Sequence, residues 1–118
     1  MMSAARYRDV YIAGPDLVAP VLRGATPPVD GAPYRISPFF PACGCDVFNV
    51  VVDRIRGGAL CGQQTATACW CALVSPGEIA GLIDEVYGAE EAETISALRR
   101  FVEALPRDCA FALVALAF

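Results

Sequence analysis

The chain has 118 residues, 56% hydrophobic and 19% charged, with nine basic and thirteen acidic residues and a formal charge of −4. All nine basic residues are Arg; Lys and His are absent, which excludes Schiff-base lysines, imidazole bases and ligands, and Ser-His or Cys-His nucleophile pairs. The acidic balance argues against a general nucleic-acid or anionic-membrane binder, the hydrophobic share argues against disorder, and the length predicts one domain over residues 1–118.

In chain order, Arg8 to Ala13 (RDVYIA) reads as a first strand, ended by Gly14-Pro15-Asp16. Seven of the nine prolines fall between Pro15 and Pro41, and residues 24–42 read as an irregular arm pinned by Tyr34, Phe39 and Phe40. Such a segment either wraps over its own core or, being already extended, serves as a docking surface; in that second role Tyr34, Phe39 and Phe40 are the candidate partner-binding residues. Asp46 to Arg56 (DVFNVVVDRIR) reads as a strand, with Phe48, Val50 and Val52 on one face. Gly57-Gly58 then reads as a hairpin turn, followed by a return strand from Ala59 to Val74 with a polar interruption and a bulge near Gly62. As an edge strand, Asp46–Arg56 would offer itself to a second copy in a homodimer, with Asp53 and Arg54 as charges opposing that pairing.

Ser75-Pro76-Gly77-Glu78 has the form of a capping box, and Ile79, Leu82, Ile83 and Val86 follow at helical spacing up to Gly88. A second helix is predicted from about Ala89 to Leu105, with Ile95, Leu98, Val102 and Leu105 as its buried stripe and Pro106 as its stop. Asp108 to Phe118 has no polar residue after Asp108 and reads as a strand buried on both faces, central in its sheet. The order β-β-β-α-α-β predicts an α+β two-layer sandwich, mostly antiparallel, with two helices in the C-terminal half and a buried final strand.

Six cysteines carry the main chemical signal: Cys43-Gly44-Cys45, Cys61, Cys69-Trp70-Cys71 and Cys109. Two CxC pairs could supply four thiolates to zinc, so Cys43, Cys45, Cys69 and Cys71 form an alternative metal site. On an extended strand the two members of such a pair share a face about 7 Å apart, workable but awkward for a tetrahedron. As packing residues, Cys69, Cys71 and Cys109 are small core hydrophobes, and no cofactor is then expected. A small cysteine- or carboxylate-based enzyme is the second alternative. The carboxylates it would use, Asp84, Glu85, Glu90, Glu91 and Glu93, cluster at the helix–helix turn and read as solvated. Val10–Leu22 is too interrupted for a signal-peptide core and Cys109–Phe118 too short for a membrane span, so the expectation is an intracellular, soluble protein.

Ala, Gly, Pro and Arg are abundant, Lys is absent and Asn49 is the single Asn, the coding bias of a GC-rich genome. With that bias, its six cysteines and the opening SAARYRDVYIAGPDLVAPVLRG, the chain resembles the small accessory proteins of parapoxviruses; a GC-rich bacterial or phage chain would share the bias but not the cysteine usage. The resemblance implies a non-enzymatic protein of the host cytoplasm or nucleus that binds a host protein and dampens innate signalling of the NF-κB type. It carries over no functional residues.

Overall fold

The computed structural model describes residues 8–23, 35–41, 47–88, 90 and 92–117. Strand β1 (Arg8–Ala13) runs into a 3-10 turn at Pro15–Leu17 and the short helix α1 (Val18–Leu22). Helix α2 (Val47–Arg56) precedes the hairpin strands β2 (Cys61–Ala66) and β3 (Cys69–Val74). Helices α3 (Pro76–Tyr87) and α4 (Glu93–Glu103) follow, and β4 (Phe111–Ala117) closes the order. All strand pairings are antiparallel, in the spatial order β1-β4-β3-β2. The class is α+β, and the last strand in sequence is central in space, as its unbroken apolar run requires.

One predicted strand is a helix. Asp46 lies outside the described residues; from Val47 the chain is α-helical, because its apolar residues also satisfy the 3.6 period. Val47, Val51, Val52 and Ile55 are buried, whereas Asn49, Asp53 and Arg56 form an exposed stripe at i, i+4 and i+7. The Gly57-Gly58 pair ends this helix instead of turning a hairpin. Gly58 adopts φ +81°, its N–H reaches the Ile55 carbonyl at 3.2 Å, and the Ala59 N–H reaches Arg54 at 2.9 Å, which together form a Schellman cap. The observed order is therefore β-α-β-β-α-α-β once the short α1 is set aside, and the expected edge-to-edge dimer through residues 46–56 has no strand to use.

The predicted return strand is itself the hairpin. Its polar stretch is β2, the two-residue turn is Thr67-Ala68, and Thr65 is the extra residue where the register shifts between Gln64 and Ala66. No described non-glycine residue has positive φ, so the turn is not type I′; a bulge next to it supplies the twist that such a turn would otherwise give. Gly62 is obligatory for a different reason: a Cβ there would lie 2.3 Å from the Cys71 carbonyl oxygen.

Side-chain alternation divides the sheet between two cores. Val10, Ile12, Ala72, Val74, Phe111, Leu113 and Ala115 face α2, α3 and α4 and form the main core. Complete burial of Ile79, Ile83, Ile95 and Leu98 against them contributes about 1.5–3 kcal/mol per side chain. The predicted capping box opens α3: Ser75 Oγ accepts from the Glu78 N–H at 3.2 Å and Glu78 Oε1 accepts from the Ser75 N–H at 2.9 Å. Helix α4 starts at Glu93, later than its pattern suggested, and buries Ile95, Leu98 and Val102. On the opposite face, Tyr11, Ala13, Cys69, Cys71, Ala112, Val114 and Leu116 form a smaller buried cluster with Leu17 of the 3-10 turn. Helix α1 lies against β3 and β4 on this side.

The arm closes the β1 edge. Ile36 and Ser37 N–H groups donate to the Ile12 carbonyl, Phe40 N–H donates to Val10, and Arg35 forms a bridge to Ala13. The Ile12 N–H finds its acceptor in Ser37 Oγ at 2.8 Å, and Ser37, 1% exposed, in turn donates to the Pro38 carbonyl. A serine hydroxyl thus supplies the acceptor that a neighbouring strand's carbonyl would otherwise provide. Tyr87 Oη fixes the end of the segment by donating to the Pro41 carbonyl at 2.7 Å. Ser37→Ala leaves the buried Ile12 N–H without its acceptor and should cost about 1–3 kcal/mol in chemical denaturation. Unchanged stability, with Ile12 amide exchange as slow as in the wild type, would contradict this role.

Candidate functional site

Segment 35–40 behaves as an added pseudo-strand, so its aromatic neighbours diverge. Phe40 enters the main core and is 6% exposed, whereas Phe39 turns to the other face and is 38% exposed. Phe39 meets the buried Tyr11 ring edge-on, with centroids 5.9 Å apart and planes at 85°. Ile36, 40% exposed, is the other large apolar residue at the surface among the described residues. Arg35 lies over the Phe39 ring at 4.5 Å and also donates to the Ser37 carbonyl. The result is one short segment that exposes two large apolar residues, Ile36 and Phe39, with a cation held over Phe39 on a backbone that the β1 edge fixes.

Of the three expected partner-binding residues, Phe39 is therefore at the surface and Phe40 is core, while Tyr34 lies outside the described residues. Arg35 and Ile36 were missed. No strand period marks them: burial along residues 35–40 recurs at every third residue, Ser37 and Phe40, and not at every second.

The cysteines are divided as well. Cys43 and Cys45 of the alternative zinc set lie outside the described residues. Cys69 and Cys71 do share one face of β3, as their spacing predicts, and both are buried in the smaller core. The bulge residue Thr65 turns its hydroxyl toward them, donating to the Cys69 carbonyl at 3.4 Å and standing 3.9 Å from Cys71 Sγ. The S–H hydrogen bond from Cys71 to Cys69, together with burial, pushes the Cys71 thiol well above its ordinary range. That same bond draws Cys69 down to about 7, against the upward pull of burial and with help from Thr65. Chemically this is a buried, paired dithiol. Among the described residues no group of three or more Cys, Asp or Glu is arranged to hold a metal ion.

Two of the acidic residues near the helix–helix turn pair with arginines. Asp84 bonds Arg99, which also donates to the Gly88 carbonyl, and Glu85 pairs with Arg54. A hollow of 290 Å³ between α2 and α3 is lined by Arg54, Leu60, Glu78 and Glu85, but Glu78 is engaged in the cap and Glu85 in its ion pair. These carboxylates brace helices. Trp70 is half-buried with Arg56 over its ring at 4.9 Å, and no helix among the described residues is long and apolar enough to cross a membrane.

Comparison with protein-family models, with curated proteins and with solved structures finds no match for this chain.

The thiol environments give a direct expectation. In the folded protein at about pH 8, iodoacetamide should modify the exposed Cys61 quickly and reach Cys69 and Cys71 only after denaturation. Rapid native labelling of Cys69 would contradict its burial.

Proposed function

We propose that the protein is a non-enzymatic interaction module that binds another protein through Ile36 and Phe39. The observation that carries the reading is the placement of two exposed large apolar side chains, with Arg35 stacked beside them, on a segment held rigid by β1. Rigid presentation lowers the ordering cost of binding, and an aromatic flanked by an arginine is the composition of an interface anchor. The cation selects an acidic residue next to the apolar group that fills the patch. The resemblance of the chain to small parapoxvirus accessory proteins supports a host protein of innate, NF-κB-type signalling as the partner, and an intracellular location goes with that reading. A dithiol sealed in the smaller core and carboxylates tied to arginines support binding over catalysis.

Phe39→Asp places a charge where an anchor should enter, at a position exposed enough to leave the fold intact. In a reducing extract of mammalian cells, wild-type bait should retain a partner at least about tenfold better than the Phe39→Asp bait, as loss of an anchor residue implies. In intact cells, the wild type should lower an NF-κB reporter and the variant should not. Equal retention by both baits contradicts the patch; a reporter indifferent to the wild type contradicts the signalling partner.

A further inference from the structure

The two edges of the sheet are treated differently. Segment 35–40 covers β1, whereas the sheet of the described residues ends at β2. Exposed edges are normally blunted by charge, by proline or by a cover, because their backbone groups template pairing with another chain. Here the opposite holds: no charged residue occurs from Gly57 to Gly77, and no proline before Pro76. Every β2 side chain is exposed except Thr65, which is half-buried. The bulge at Thr65 bends only the last part of the strand, leaving Cys61 to Gln64 in regular register with β3.

We propose that β2 is a self-association edge: two copies pair their β2 strands antiparallel about a two-fold axis and join their sheets into one of eight strands. A strand is complementary to its own copy in this arrangement, since each backbone donor meets the equivalent acceptor. Opposed residues of an antiparallel pair share a face, so keeping the pairing inside the regular part sets Gln63 opposite Gln63 of the copy, and Gly62 opposite Gln64. Only neutral residues then meet across the axis, so two chains that each carry −4 approach at a stretch without like charges. The two Gln63 side chains meet at the axis, where amides can both donate and accept, and Gly62 adds no bulk beside them. A charged partner protein would find no complement on this strand, whereas a second copy needs none. The pairing does not depend on the Ile36–Phe39 patch, which lies at the other edge.

Three paired residues from each copy make a small interface, so the dimer should be weak and concentration-dependent. Under reducing conditions, which exclude a Cys61 disulfide, sedimentation equilibrium of the full chain should show the mass rising from 12.5 kDa toward twice that as concentration goes from about 1 to about 200 µM. Gln63→Lys and Gln63→Glu should each stay monomeric, because each sets two like charges near the axis, and an equimolar mixture of the two should dimerise again. Recovery in the mixture also shows that both variants fold. A wild type that stays at the monomer mass throughout, or a dimer that survives both variants, overturns the proposal. A dimer abolished by Phe39→Asp but not by Gln63→Lys would overturn it in favour of the arm as the contact between copies.

Discussion

The hydrogen bonds between β1 and residues 35–40 hold the rest of the structure in place. Strand β4 has no polar side chain and must be buried on both faces and flanked on both edges; β3 flanks one side and β1 the other. β1 can serve only if its own outer edge is satisfied, because Val10, Tyr11, Ile12 and Ala13 are all fully buried. Ser37 meets that demand. Its hydroxyl accepts from Ile12 within a segment whose prolines prevent it from being a continuous strand. Phe40 and the Tyr87–Pro41 bond then tie the same segment to the helical layer.

The functional surface follows from this seal. A pseudo-strand sends adjacent side chains to opposite faces, so burying Phe40 places Phe39 on the other side, where Tyr11 supports its edge. Packing of the arm and display of the patch therefore come from one backbone geometry. The same alternation on β3 puts Cys69 and Cys71 side by side beneath the 3-10 turn and α1, in a core too small to need larger residues. Thr65, displaced by the bulge, completes the polar contacts of that pair.

Much of the fold was legible in the residues. RDVYIA, the Ser75–Glu78 box, the Ile79–Val86 stripe and the apolar run after Asp108 each carry one period, one cap or one composition, and local and tertiary preferences agree there. Val47–Arg56 was not legible as a helix, because three consecutive β-branched valines favour a strand while Val47, Val51, Val52 and Ile55 fit a helix. Tertiary burial decided between the periods, and the exposed Asn49, Asp53 and Arg56 were the residues that recorded the choice. The Gly57-Gly58 signal was ambiguous for the same reason, since a positive φ suits a Schellman cap as well as a hairpin. Within the site, Phe39 could be named from its aromatic neighbours, but its separation from Phe40 depends on the β1 pairing, a long-range contact that no local pattern encodes.

The most direct measurement is residue-resolved amide hydrogen exchange on dilute protein, where copies do not meet. A sealed edge predicts that the amide of Ile12 in β1 exchanges as slowly as those of β4, while β2, the uncovered edge, exchanges much faster. Exchange at Ile12 as fast as at β2 would show that segment 35–40 does not close the sheet, and would remove the support on which the Ile36–Phe39 surface rests.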